Sequence, residues 1–459
     1  MSTQTQQKDY GSSTKDLNRT LGKSDLMGIA IGQIIGAGVM SMMGIAINYT
    51  GRSANLAFML SAVFTMCTFF PSIFISSCIR MRGGTYTQFG IFVGERWSGY
   101  FGVIYIITKM TLAMYSLSFA QYAVALIPGV PEKVIALAVA TFFIGLSFFG
   151  VDLASKIQNL LVMALIAALL VFAIFGFPHV DFGTYFNNAD GLFFSNGATG
   201  FLTAVAYLGF ATGGATVILD SSAECKNPTK DIPFVIVVST TGVAFLYGLV
   251  ATVASGVLPV PEVANQPLTL VAQQILPGPV YIFFIVCGAM FALATTLNSQ
   301  MLSAPKPIMQ VCEDGWLPKS FAQLNRFKTP YKILAALYLV AIVPIILDLE
   351  IGQISSMVQI LGYVNNFVLA TATAKLPEMF PEAWSKSNFR VPTGVLKALL
   401  WVTRIVILIQ ASFMINSIKE NPMLLVFNAL FLVIAVGYSG LRYRAGVRPT
   451  ISYEFADND

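Results

Sequence analysis

Charge is the first thing this chain has little of: Asp, Glu, Lys and Arg make up 11% of its 459 residues. A soluble domain carries roughly 25%. With 56% hydrophobic residues and a mean hydropathy of +0.73, a soluble globular fold is excluded and a polytopic membrane protein remains. Histidine is nearly missing as well. Its one copy, His179, falls in a loop, which removes histidine-based catalysis and metal ligation as organising chemistry. Clustered carboxylates are absent too, so a membrane enzyme would have little to work with. Five cysteines (Cys67, Cys78, Cys225, Cys287, Cys312) lie in apolar runs or at their ends without paired spacing, giving neither a disulfide framework nor a metal site. Residues 1–23 are polar and carry Lys8, Lys15, Arg19 and Lys23, with no apolar stretch before a small-residue cleavage site, so no cleavable signal peptide is expected.

What is present is a succession of apolar runs. They lie at about 24–49, 53–79, 98–127, 131–151, 153–178, 195–223, 232–257, 279–303, 331–348, 351–374, 394–418 and 421–441. Each approaches the roughly 20 residues that a bilayer asks of a helix. The predicted fold is all-α with twelve transmembrane helices, a tail at 1–23 and another at 442–459. With the N-terminus inside, 22 of the 27 Lys and Arg fall in inner segments, three (Arg52, Lys133, Lys419) fall outside, and Lys109 and Arg404 lie within spans. Positive charge marks the cytoplasmic side. Both termini are therefore expected in the cytoplasm of a cell-membrane protein, and the net charge of +5 needs no nucleic-acid partner.

The stretch Gly28–Gly44 is the least ordinary of these runs. Gly28, Gly32 and Gly36 repeat every fourth residue, a small-residue stripe that lets another helix approach closely. Gly36 and Gly38 then fall two apart, where they weaken helix. Non-helical backbone survives in a membrane only where it is buried in protein or lines a cavity. The stretch reads either as a packing interface or as a break that makes a binding site. A second interrupted run, 195–222, with Gly213-Gly214 at its centre, favours the break, because paired interrupted spans in corresponding halves point to a transporter site at the membrane midplane.

Freed N–H groups at a break attract anions and freed carbonyls attract cations. An amino-acid zwitterion offers one of each. The amides near Ala37, Gly38 and Val39, beside Gly36, are expected to hold a carboxylate. The carbonyls of Ile35, Phe210 and Ala211 are expected to receive an ammonium. The glycine-rich inner loop 80–96 and the outer loop 258–277 lie on opposite sides of the membrane, as an inverted repeat requires. That divides the chain into a first repeat at 24–178, a second at 195–374, and two further helices at 394–441.

Several motifs carry a family resemblance over nearly the whole length: IIGAGVM in the first span, RGGTYTQFG before the third, FATGGAT and AECKNPTKDIP at the sixth. CEDGWLPKSFAQLNRFKTP after the eighth and FRVP before the eleventh complete the set. The chain resembles the amino acid–polyamine–organocation (APC) transporters. The resemblance implies a LeuT-type core of two inverted five-helix repeats plus two extra helices, with helices 1 and 6 broken. It also implies an amino-acid exchanger or symporter working by alternating access, with substrate bound at the two breaks. An aromatic residue before the second break often covers the substrate in this family, which assigns Phe210 a gating role.

Alignment to the family places Lys109 on the pocket face of the third span. An unpaired charge inside a membrane costs at least about 2.5 kcal/mol, so it must face a cavity or a partner. Lys109 would attract a side-chain carboxylate, favouring glutamate or aspartate, or shuttle a proton as a desolvated lysine, or form a structural ion pair with Asp220, or snorkel to the membrane interface. The alignment also exposes departures. Leu165 stands where many members have a sodium-replacing lysine, with Lys156 a few turns away. Thr216 stands where some proton-coupled members have a glutamate, and Asp220 is the nearest carboxylate. Sodium held by Thr295 and Thr296, proton coupling, or obligate exchange stay open, though paired threonines more often bond back to their own helix. Gln300 aligns near the pocket, and Asn365 and Asn366 are expected to face the bundle interior. Arg404 lies outside the ten-helix core and meets a headgroup or the partner of a homodimer. No resident cofactor is implied. A channel or sensor on this fold is the reading from another class, and a neutral amino-acid or amine exchanger is the alternative within transport.

Overall fold

The computed structural model describes residues 19, 21–148, 152–327, 329–419, 421–451 and 453–455. Residues 1–18 and 20 of the expected N-terminal tail and 456–459 of the C-terminal tail lie outside these. Each of the twelve apolar runs is occupied by helix among the described residues. In chain order these are α1 (Lys23–Thr50), α2 (Ala54–Ser76), α3 (Glu95–Thr108) with α4 (Thr111–Val124), α5 (Glu132–Ser147) and α6 (Asp152–Gly176). There follow α7 (Gly197–Thr212), α8 (Pro228–Gly256), α9 (Phe291–Ser303), the amphipathic α10 (Pro305–Glu313), α11 (Tyr331–Ile346), α12 (Ile351–Ala372), α13 (Thr393–Ile418) and α14 (Pro422–Arg444). Eight helical stretches among the described residues are long and apolar enough to cross a membrane, one of them, Lys23–Ser76, containing both α1 and α2. The chain is a multi-pass membrane protein.

The first span does not break. α1 runs unbroken for 28 residues through Gly36 and Gly38, which corrects the expectation that its amides and carbonyls come free there. The reason is packing. A Cβ at Gly36 would overlap the Thr296 side chain and lie 2.9 Å from the Ala292 carbonyl oxygen, and one at Gly38 would lie 2.5 Å from Ala211 Cα. The glycines bring α9 and α7 against α1, and a helix gripped on two sides keeps its own hydrogen bonds. Hydroxyls from neighbours add to them: Tyr247 Oη donates to the Ile34 carbonyl at 2.7 Å and Tyr122 Oη to the Met40 carbonyl at 3.1 Å.

Other spans are interrupted. α7 ends at Thr212, and after Gly213 the chain continues as a tighter 3-10 helix, Gly214–Glu224. Between α3 and α4 the turn tightens at Lys109: its N–H bonds the Ile106 carbonyl at 3.1 Å, three residues back, and the next N–H bonds Ile107 in the same way. α9 is entered through a wide π turn at Phe284–Met290. Neither Gly nor Pro marks the Lys109 interruption, so nothing in the residue pattern announces it.

The charged segments gather into two separate groups. In one, Arg80 reaches the Cys225 carbonyl at 2.8 Å, Lys306 pairs with Glu224 at 3.0 Å, and Tyr86 Oη donates to Asp314 at 2.5 Å. The C-terminal tail joins this group instead of hanging free: β2 (Tyr453–Phe455) pairs antiparallel with β1 (Ile79–Met81), and Arg19 pairs with Glu454. All these residues come from segments expected inside. In the other group, Arg52 holds Asp190 and Lys133 holds Asp348 at 2.7 Å, both in segments expected outside.

The Arg52 clip is bidentate, at 2.6 and 2.9 Å to the two Asp190 oxygens, while the Leu192 N–H donates to Oδ1. The guanidinium bonds hold the Asp190 carboxyl at about 2, below its ordinary 3.8. A depressed carboxylate contributes stability above its unfolded value and loses it as pH falls through the folded one. Wild type is therefore expected to melt above Asp190→Asn at neutral pH, with the gap closing as pH drops from 3.8 towards about 2. A gap that ignores pH would rule the pairing out.

Candidate functional site

The interruption at Gly213 puts the last carbonyls of α7 and the first amides of the following 3-10 helix at one place, although the Gly213 N–H still bonds the Phe210 carbonyl at 3.4 Å, so that carbonyl is not fully freed as expected. The dipoles of the two helix ends present partial negative and partial positive charge within a few residues of each other. α1 passes directly behind: a Cβ at Gly214 would lie 2.8 Å from the Gln33 carbonyl and the Ile34 nitrogen. In front lies a cavity of about 350 Å³. Its walls come from Gln33 and Gly38 of α1, Tyr105, Lys109 and Tyr115 of the α3–α4 region, and Phe210, Gly213, Gly214, Thr216 and Asp220 around the break. Gln300 of α9, Gln359, Tyr363, Asn365 and Asn366 of α12, and Gln410 of α13 close it.

Lys109 is 8% exposed and fully committed inside this space. Its Nζ donates to Gln300 Oε1 at 2.9 Å and lies 4.1 Å from the centre of the Tyr105 ring, a cation–π contact. Asp220 is its charge partner across the cavity. The carboxylate interacts with Lys109 and, more weakly, with Lys306, while the Thr85 N–H and the Tyr105 hydroxyl face it. The hydroxyl does not meet hydrogen-bond geometry. No direct Lys109–Asp220 ion pair forms among the described residues, so the pair brackets the space without closing it. Gly84 lies against the same carboxylate at φ +54°, and a Cβ there would overlap Asp220. That explains the paired glycines of RGGTYTQFG: only glycine adopts this backbone so close to a side chain.

Of the residues expected at the site, the cavity brings together Gly38, Lys109, Phe210, Gly213, Gly214, Thr216, Asp220 and Gln300. Asn365 and Asn366 join them. Ile35, Gly36, Val39 and Ala211 do not reach it: they are buried in the contact between α1 and its neighbours. Ala37 is helical, and its side chain lies outside the described residues, as does that of Lys156. The phenyl ring of Phe210 lies 6.1 Å from that of Tyr115. Thr295 and Thr296 both donate to the Ala292 carbonyl, at 2.9 and 3.0 Å, the back-bonded state of helix threonines, and Thr296 Oγ1 also stands 3.5 Å from the Gly32 carbonyl. Arg404 turns onto its own helix, 3.8 Å from the Trp401 ring, with Nε donating to the Leu400 carbonyl. No group of three or more His, Cys, Asp or Glu residues suited to a metal occurs among the described residues.

An amino acid permease profile matches residues 21–438 of the chain. The chain belongs to the amino acid permease family, within the APC superfamily. It is similar to an uncharacterized amino acid permease of Bacillus subtilis, 25% identical over 92% of this chain and 97% of that one. A branched-chain amino acid permease of the same organism is 25% identical over 70% of this chain and 73% of its own. A vacuolar cationic amino acid transporter of Arabidopsis thaliana is 26% identical over 75% of this chain and 57% of its own. The side chains these relatives are named for differ in size and charge, so the likeness carries no substrate to this permease.

Six of these lining residues lie outside the sequence expectation: Gln33, Tyr105, Tyr115, Gln359, Tyr363 and Gln410. Each is a polar residue in an apolar span, and that signal was available. What was lacking is the helix rotation that tells an inward polar group from one bonded to its own backbone.

Proposed function

We propose that this permease is a secondary active transporter that moves a small zwitterionic amino acid by alternating access. The observation that carries the reading is the cavity at the α7 break, where a helix carbonyl end, a helix amide end, Lys109 and Asp220 face one space. The reading differs from the sequence expectation in one respect. One break, not two, supplies both backbone poles: the α7 carbonyls toward the ammonium, and the amides from Gly214 onward toward the carboxylate. Phe210 serves as the gate. A wider cavity of about 780 Å³, lined by Met40, Ser41 and Gly44 further along α1 and by Lys133 and Asp348, supports an approach from the outer side.

The architecture that goes with this is twelve crossings, repeats at 24–178 and 195–374, helices at 394–441, and both termini in the cytoplasm of the cell membrane. The two separate groups of charged segments support that sidedness. Lys109 alone favoured an acidic side chain such as glutamate. Asp220 on the same cavity offsets its charge, which favours a neutral side chain, while an amine or polyamine would meet Lys109 as a repelling cation. For coupling, Thr296 with the Gly32 and Ala292 carbonyls gathers three oxygens for a sodium ion between α1 and α9, and Lys109 with Asp220 is the proton-carrying alternative. The test is uptake of labelled amino acids into proteoliposomes with and without internal substrate. Uptake that needs internal amino acid identifies exchange, and uptake driven by a sodium or proton gradient identifies symport. No uptake of any amino acid under either condition defeats the reading.

A further inference from the structure

The wall of the cavity around Gly209 has a character of its own. Where Gly209 of α7 lacks a side chain, three polar atoms converge: a Cβ there would lie 3.2 Å from Gln359 Oε1, 3.3 Å from Gln410 Nε2 and 3.3 Å from Tyr363 Oη. They come from two helices, α12 and α13, and include an acceptor, a donor and a hydroxyl able to act as either. Part of this group is tied down. Gln359 Nε2 donates to the Tyr207 carbonyl at 3.3 Å and to Ser355 Oγ at 3.1 Å, and Tyr363 Oη contacts the Ala206 carbonyl and Gln359 Oε1, each at 3.2 Å. Gln410 is not. It is 2% exposed, lines the cavity, and its Oε1 has no hydrogen-bond partner. Asn365, 8% exposed on the same wall, has an unpartnered Oδ1 as well.

Unpaired buried amides are costly in a protein interior, and more so in a membrane. An apolar side chain at Gln410 would fill the space at no such cost. The arrangement is what a site looks like when its remaining hydrogen bonds come from a ligand. No lysine, arginine or carboxylate stands among these groups, so the ligand's contribution here is neutral.

We propose that Gln410, with Gln359, Tyr363 and Asn365 around Gly209, forms the side-chain subsite of the transported amino acid, selecting a neutral hydrogen-bonding side chain, a hydroxyl or carboxamide, over an aliphatic one. This rests on the transport reading above, and it gives α13, outside the ten-helix core, a part in substrate selection. A site built to hydrogen-bond a substrate rejects the analogue lacking that group, because its own polar atoms are left unpaired.

The test is competition against uptake in proteoliposomes, comparing glutamine, asparagine and serine with leucine and valine. Wild type is expected to prefer the polar set. Gln410→Leu, close in size, is expected to lower the glutamine-to-leucine ratio of kcat/KM by about tenfold or more while retaining transport. Gly209→Ala provides the second variant: its methyl would sit among the three polar atoms, so glutamine should lose its competition while glycine keeps it. An unchanged glutamine-to-leucine ratio in Gln410→Leu, or a wild type that prefers leucine, overturns the subsite and leaves amino-acid transport standing. Should Gln410→Leu fail to fold, equal competition by glutamine and glycine in Gly209→Ala overturns it instead. Failure of every amino acid to be taken up by wild type defeats the transport reading itself.

Discussion

Lys109→Met is expected to reduce amino-acid transport on the order of 100-fold while the protein still inserts and folds as a membrane bundle. The argument starts from Asp220. Its carboxylate lines the cavity and is partly buried, and Lys109 is its strongest cationic partner, ahead of Lys306. Removing Lys109 leaves Asp220 without its strongest counter-charge inside a membrane bundle, where an unpaired charge costs about 2.5 kcal/mol or more, roughly a 100-fold change in an equilibrium. Gln300, whose Oε1 accepts from Lys109 Nζ, loses its donor in the same step. Asp220→Asn on its own should impair transport too. The informative variant is the double one. Lys109→Met with Asp220→Asn should recover the melting temperature that Lys109→Met loses, because a neutral amide needs no counter-charge, but it should not recover transport. If the two losses in melting temperature simply add, the residues do not interact and Asp220 is not the partner of Lys109. If Lys109→Met transports like wild type, the cavity is not the substrate site.

The second large effect is expected at Gly38. A methyl there would lie 2.5 Å from Ala211 Cα and 2.6 Å from the Ala211 carbonyl oxygen, two backbone atoms that no rotamer change can move. Gly38→Ala must therefore push α1 and α7 apart, an overpacking cost of about 3 kcal/mol. The displaced α7 backbone is the segment just before the Gly213 break. Gly36→Ala should act in the same direction through Thr296 and the Ala292 carbonyl. The comparison is Gly145→Ala on α5, where a Cβ meets nothing within 4 Å. Gly38→Ala should melt markedly lower and lose uptake, whereas Gly145→Ala should match wild type in both. Equal melting of Gly38→Ala and wild type would show that the close approach of α1 to α7 does not hold in the membrane.

The glycine pairs show how far sequence reading reaches. Gly213-Gly214 and Gly36–Gly38 look alike in the chain, each a helix-weakening pair in an apolar run. One marks an interruption and the other a tight crossing. The difference lies in what faces them: Thr296, Ala292 and Ala211 grip the first span from two sides and leave it no room to unwind. Lys109 shows the converse. Its burial follows from charge in an apolar span, whereas the tightened turn that carries it has no local signature. The amide wall at Gln359 and Gln410 was only half readable: polar residues stand out in an apolar span, but in a membrane helix they can bond inward, outward or to their own backbone.

Composition and hydrophobic spacing alone determined that this protein is a bundle of membrane helices and how its loops divide by charge; the family resemblance rested on motifs. These properties depend on burial and on sequential spacing, and both are written along the chain. Tertiary structure alone decided which glycines part a helix and which seat one, that Lys109 and Asp220 share a cavity, and that α13 reaches it. Those depend on which surfaces meet, and residues hundreds of positions apart settle that only once the helices have packed.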